Sequence, residues 1–140
     1  MAPLLIIDGL QIHYGAIEAL KGISLYLDEG EIVTVLGANG TGKTTLINAI
    51  SGLLTISKGT VTLEGNHLNG IPSYEIVKMG ISQAPEGRKV FSTLTVDENL
   101  NLGAYTRRKK KQEVSDAKER VFSLFPILKE RRRQLSGTLS

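Results

Sequence analysis

The sequence predicts an α/β fold in which a glycine-rich turn joins a buried strand to a helix, preceded by a half-exposed antiparallel sheet. Three observations predict it. Ile32, Val33, Val35 and Leu36 form a compact, β-branched apolar run between Gly30 and Gly37, as expected of a strand buried on both faces. The octapeptide GANGTGKT follows at 37 to 44. After it, Leu46, Ile47, Ile50 and Leu53 recur at helical spacing, with Gly52 near the end of the stripe.

Upstream, Leu4 to Asp8, Ile12 to Tyr14 and Ile23 to Leu27 read as short strands with partial alternation of apolar and polar residues. Downstream, Val61 to Leu63 reads as a strand and Ser73 to Met79 as a short helix after Pro72. Ile81 to Ala84 reads as a brief strand ended by Pro85. A helix is expected over Thr95 to Tyr105, and a second stripe runs through Val114, Ala117, Val121, Leu124, Phe125 and Leu128, bent or ended at Pro126. The closing QLSGTLS carries no cap or further element, which reads as an incomplete unit.

At 140 residues and 41% apolar content the chain can bury one core, and disordered and fibrous classes are excluded. Without cysteine there is no disulfide framework, thiolate zinc site or sulfur redox chemistry, and the composition suits a reducing compartment. MAPLLIID has neither a basic leader nor a small-residue cleavage site, and no stretch approaches the roughly 20 apolar residues of a spanning helix. Any membrane role is therefore expected to come through a partner. The net charge of +3 compels no nucleic-acid surface. The basic run Arg107 to Lys111 reads as a solvated helix entrance, with membrane-surface or RNA contact as the minor alternative, and His13 and His67 lack ligand-spaced partners.

The octapeptide matches G-x-x-x-x-G-K-[ST] in full. Gly37, Gly40 and Gly42 let the backbone turn tightly, so that amide groups from Asn39 through Thr41 to Thr44 point into one concave nest for phosphate oxygens. The helix beginning near Lys43 directs its positive end at the same anion. Lys43 is placed to reach the β and γ phosphates, the Thr44 hydroxyl to ligate Mg²⁺, and Thr45 to donate to the α phosphate. The competing interpretation is a glycine-rich turn capping an ordinary helix.

On these residues the chain resembles the nucleotide-binding subunit of ATP-binding cassette (ABC) transporters. The resemblance rests on GANGTGKTTL, preceded by LKGISLYLDEGEIVTVLG and followed by ISGLLTISKGTVTLEG. It is closest to the subunits serving branched-chain amino acid importers, through YGAIEALKGIS, APEGRKVFSTLTVDENL and the terminal GTLS. The resemblance implies a P-loop NTPase of the cassette type: an N-terminal antiparallel sheet plus part of a mainly parallel core sheet flanked by helices, with the C-terminal part missing. It also implies one incomplete ATP-binding domain over 1 to 140, with the phosphate loop at 37 to 44, a Q-loop region at 83 to 88 and a helical region at about 95 to 134.

Tyr14 takes the position of the aromatic residue that stacks on adenine in the family; the alternative is a strand-end tyrosine. Pro85 phases Glu86 onto the place where most members carry a glutamine that touches Mg²⁺ and the attacking water, and the branched-chain subgroup shows glutamate there. Gln83 falls three residues early, inside the expected strand. The stretch Arg88 to Leu100 resembles the surface that receives a coupling helix, so Phe91 and Leu94 are either partner contacts or core residues. The signature LSGGEQ is expected to begin at Leu139 and Ser140, the LSG at Leu135 to Gly137 being a decoy. The acidic Mg²⁺-holding strand, the general-base glutamate and the switch histidine are also absent from the sequence.

The resemblance implies ATP and Mg²⁺ as cofactors, a second nucleotide-binding subunit and transmembrane permease subunits as partners, no nucleic acid, and a cytoplasmic place at the inner face of the membrane through those permeases. Binding without efficient turnover is the expectation for this chain alone. A GTPase or small-molecule kinase, for which no N-K-x-D occurs, and a non-hydrolysing nucleotide-binding or assembly module are the alternatives.

Overall fold

The protein is described here over residues 3–139 by a computed structural model, in which the chain forms two compact units, one ending at Gln83 and one beginning at Ala84. The first unit is a four-stranded sheet in the order β2-β1-β3-β4, every pair antiparallel, with β1 at Leu5–Tyr14, β2 at Ile17–Leu27, β3 at Lys58–Leu63 and β4 at Asn66–His67. Helices α1 (Lys43–Ile50) and α2 (Ser73–Lys78) complete it.

The two short strands expected over 4 to 8 and 12 to 14 are one continuous strand. Its inward residues are Leu5 and Ile7, then Leu10 and Ile12, so the buried face switches from odd to even positions across Gly9. A strand keeps one face at every second residue, so the switch requires a bulge, and the register of both pairings slips between residues 7 and 11. That parity change is what makes one strand read as two in the sequence. Leu10, Ile12, Leu20 and Val61 pack with Leu46 and Ala49 of α1 and Ile76 of α2 into one apolar core.

The sheet is the expected antiparallel layer, but the expected strand over 32 to 36 belongs to no ladder. Ile32 and Leu36 are 92% and 87% exposed, the opposite of burial on both faces. A central parallel strand has to pair along both edges, and among the described residues nothing pairs with this run. The expected strand over 81 to 84 is likewise outside any ladder, for the same reason.

The second unit holds α3 (Val96–Gly103), α4 (Lys111–Leu124) and α5 (Pro126–Glu130), the last opened by the proline that ends the preceding stripe. Thr95 caps α3 through a reciprocal box: its hydroxyl accepts from the Glu98 amide while the Glu98 carboxylate accepts from the Thr95 amide and hydroxyl. Asn99, one turn further along, donates to the Phe91 and Thr95 carbonyls and the Ser136 hydroxyl and accepts from the Phe91 amide. This side chain ties the loop before α3 to the turn at Ser136–Thr138, a role no local pattern announces. Phe91 is 61% exposed, which decides against a core residue, while Leu94 is half-buried.

The backbone and then the side chain of Thr95 hold the Glu98 carboxyl below its ordinary value. Because the folded value is depressed, the contribution is present above the unfolded carboxylate pKa and is lost as pH falls through the lowered folded value. Urea titrations from pH 7 to pH 3 should therefore show an acid-side loss of stability that Glu98→Gln removes. Thr95→Ala should cost about 1 kcal/mol at neutral pH.

Candidate functional site

The loop 37–42 delivers the chain into α1 with Gly42 as N-cap in the left-handed region, at φ 91°. Leu46 and Ala49 bury one side of α1 in the core and so fix the direction of its axis. No side chain caps the helix and its first turn carries no acidic residue. Its leading amides therefore remain available to an anion from outside, on top of the helix's own positive end. Gly37 has a different reason to be glycine: a Cβ there would meet the Thr41 hydroxyl at 2.5 Å. That hydroxyl donates to the Ala38 carbonyl at 2.8 Å and closes the loop on itself.

Lys43 lies back over this loop, its ammonium donating to the carbonyls of Gly37 and Ala38 at 2.7 Å each. A cation held only by neutral carbonyls at an uncapped helix start is matched to an incoming polyanion, which offers it the stronger charge-assisted bonds. Thr44 is exposed at the first turn, and Thr45 stands 3.4 Å, hydroxyl to hydroxyl, from Tyr14 at the end of β1. Tyr14 is half exposed. The fold thus brings Tyr14, the loop 37–42, Lys43, Thr44 and Thr45 together from sequence positions 31 residues apart.

Asn39 and Gly40 lie exposed at the loop tip. Glu86 belongs to the second unit, exposed and outside regular structure. Leu139 accepts from the Arg88 guanidinium at 2.8 Å, whereas Ser140, the other residue expected to open the signature, lies outside the described residues.

The donor set suits Mg²⁺ carried in with phosphate. Among the described residues no three His, Asp or Glu side chains cluster, so no all-protein cage exists. Mg²⁺ takes one or two protein oxygens and completes its shell with phosphate and water. His13 pairs loosely with Glu18 at 4.0 Å, and the His67 ring stands 3.3 Å from the Thr62 hydroxyl. In the basic run Arg108 stacks on Tyr105 at 4.1 Å and Lys110 pairs with Glu113 at 2.9 Å. No described helix is long and apolar enough to cross a membrane.

One contact escaped the sequence. Gln83 donates to Asn48 of α1 at 3.0 Å, and nothing local to either residue marks the pair, which is 35 positions apart.

A phosphate-binding loop leading into an uncapped helix, with a lysine and two threonines at its start, defines a P-loop nucleotide-binding protein. The family model described as ABC transporter matches residues 20–140, and the chain belongs to that family. It is 43% identical over 137 residues to the high-affinity branched-chain amino acid transport ATP-binding protein BraG of Pseudomonas aeruginosa, covering 98% of this chain and 58% of that protein. It is 36% identical over 131 residues to the probable branched-chain amino acid transport ATP-binding protein LivF of Archaeoglobus fulgidus, covering 94% of this chain and 55% of that one. Among solved structures, a nucleotide-free ATP-binding cassette from an ABC transporter superposes with a TM-score of 0.81 at 26% identity, over 99% of this chain and 60% of that one. The ATP-binding subunit of an ABC transporter superposes with a TM-score of 0.85 at 27% identity, over 98% and 56%. The chain spans a little over half the length of these relatives. The fold is that of the ABC ATPase cassette, its antiparallel sheet included.

Proposed function

We propose that this chain binds Mg-ATP at residues 37 to 45, as the phosphate-binding part of an ATPase subunit that drives import of small solutes, branched-chain amino acids first among them. The observation that carries the binding is the Lys43 ammonium resting on two loop carbonyls beside the uncapped start of α1. The amides of the loop and first turn take the phosphate oxygens, and Lys43 exchanges its carbonyls for the β and γ phosphates. The Thr44 hydroxyl is the protein ligand for Mg²⁺ and Thr45 donates to the α phosphate, while Glu86 is a candidate metal ligand through the family resemblance alone. Tyr14, anchored to Thr45 at 3.4 Å, offers its half-exposed ring to adenine.

The transport role and its substrate are supported by the names of the similar BraG and LivF proteins, which are branched-chain amino acid transport ATP-binding proteins, while the direction, import, rests on the family resemblance. The partners are a second nucleotide-binding subunit and the permease subunits, with exposed Phe91 offered to the latter, and the working place is the inner face of the membrane. Hydrolysis further requires a positioned water and stabilised charge on the γ oxygens, for which residues 37 to 45 provide only part of the apparatus.

The test is titration of the chain with Mg-ATP and Mg-GTP, followed by turnover measured on a chain of its relatives' full length. Saturable ATP uptake, weak turnover in the 140 residues and strong turnover at full length are expected. No saturable uptake, preference for GTP, or uptake without turnover at full length would each defeat the reading. Tyr14→Ala should weaken ATP by about fivefold to tenfold, the value of one stacked aromatic ring, and weaken triphosphate alone very little.

A further inference from the structure

We infer that the turn joining α3 to α4, residues 105 to 111, makes direct contact with an anionic lipid surface. The two units differ in sign: the first carries four Lys and Arg against seven Asp and Glu, a net −3, and the second thirteen against seven, a net +6. Such an asymmetry points to a polyanionic partner for the basic part. Five of the thirteen are consecutive, Arg107 to Lys111, and every residue from Tyr105 to Glu113 is exposed. The Arg107, Arg108 and Lys110 amides donate to the carbonyls of Ala104, Tyr105 and Arg107, so the five cations are held in one compact turn.

A merely solvated helix entrance does not need this arrangement. Lys118 and Lys129 of the same unit meet Asp97 and Glu119 at 2.7 and 3.1 Å, whereas among the described residues Lys110 alone of the five meets an acid, Glu113 at 2.9 Å. Lys110 and Lys111 also stand at the N-cap and first position of α4, where the helix's own positive end disfavours cations. Like charges gathered at the wrong end of a helix are a cost to the fold that an anionic surface relieves. Lipid suits the turn better than nucleic acid. Tyr105 is 57% exposed with the Arg108 guanidinium 4.1 Å from its ring centre, and an aromatic ring beside cations is the composition that settles at headgroup level. Single-stranded nucleic acid is held on successive aromatic platforms, and Tyr105 is the lone aromatic residue between Phe91 and Phe122. The choice of lipid rests also on the proposed place of the chain at the inner face of a membrane, where binding to permeases keeps the turn at high effective concentration near headgroups.

The experiment measures co-sedimentation of the chain with vesicles of phosphatidylcholine alone and of an equal mixture with phosphatidylglycerol, at low and high salt, with a melting curve and an Mg-ATP titration for each variant. The chain should pellet with the anionic vesicles only, and high salt should release it. The triple variant Arg107→Gln, Lys109→Gln, Lys111→Gln should lower the partition about a hundredfold, roughly fivefold per cation, with its melting temperature unchanged or raised. The same loss of charge by Arg131→Gln, Arg132→Gln and Arg133→Gln should lower it by no more than about tenfold. No preference for anionic vesicles, equal losses in the two triple variants, or a loss that tracks a fall in melting temperature would overturn the inference. So would displacement of the chain from the vesicles by single-stranded RNA at equal negative charge, which would make the turn a nucleic-acid surface. Vesicle binding that fails while Mg-ATP uptake holds overturns this inference alone, and vesicle binding that holds without Mg-ATP uptake supports it and defeats only the proposed function.

Discussion

Lys43→Ala raises the dissociation constant for Mg-ATP by about a hundredfold, to the point where titration at ordinary protein concentrations shows no saturable uptake. The bare attraction between an ammonium and a phosphate charge at 4 Å is on the order of 4 kcal/mol at an effective dielectric near 20. Part of that is already committed, because the Lys43 ammonium gives up two 2.7 Å bonds to Gly37 and Ala38 when it turns to the nucleotide. What remains, about 2.7 kcal/mol, is the hundredfold loss. The same two bonds make a second, smaller prediction: removing the ammonium should lower the melting temperature of the nucleotide-free protein slightly, since the loop loses its central donor. Isothermal titration against ATP, with a melting curve to show that the variant is folded, decides the matter. Uptake that survives unchanged in a folded Lys43→Ala protein would mean that the loop does not hold the phosphates.

The loop could be read from residues because its chemistry is local: glycines, lysine and threonines within eight positions, with a helical stripe behind them. The helix beginning near Lys43 and the break at Pro126 were read for the same reason, whereas Thr95, placed inside the expected helix, is its N-cap, and Pro126 also opens a new helix. The reading failed where structure depends on distant partners. The run 32 to 36 has the composition of a central strand, but a ladder is a property of neighbours, and none pairs with it here. Gly9 hid a continuous strand because a bulge inverts the parity on which strand recognition relies. Gln83 was visible as a glutamine near the expected metal-sensing position, yet its partner Asn48 sits on a helix 35 residues away, and only folding brings the two amides together. Tyr14 lies between these cases: the resemblance marked the residue, and the fold supplies its 3.4 Å approach to Thr45.

Gly42→Ala should carry the largest structural penalty in the loop, and comparison with Gly40→Ala shows why. Both glycines have left-handed backbones, at φ 91° for Gly42 and 82° for Gly40, so both substitutions cost about 1 to 2 kcal/mol from the conformation alone. They differ in what a new Cβ meets. At Gly40 nothing lies within 4 Å, whereas at Gly42 the Cβ would stand 2.6 Å from the Leu20 side chain and 2.9 Å from the Ala19 carbonyl. Leu20 is 4% exposed in the core and Ala19 belongs to β2, so neither can step aside without disturbing the sheet. Gly42→Ala should therefore cost about 3 kcal/mol or more in urea unfolding, roughly twice the loss at Gly40. The penalty also reaches the site, because Gly42 is the N-cap that aims the first turn of α1. Pushing that turn away from β2 misdirects the Lys43, Thr44 and Thr45 amides and separates Thr45 from Tyr14, so ATP affinity should fall about tenfold in Gly42→Ala even below its unfolding transition, and about twofold in Gly40→Ala. Equal losses of stability and affinity in the two variants would show that backbone strain alone governs this loop and that its seating against β2 does not.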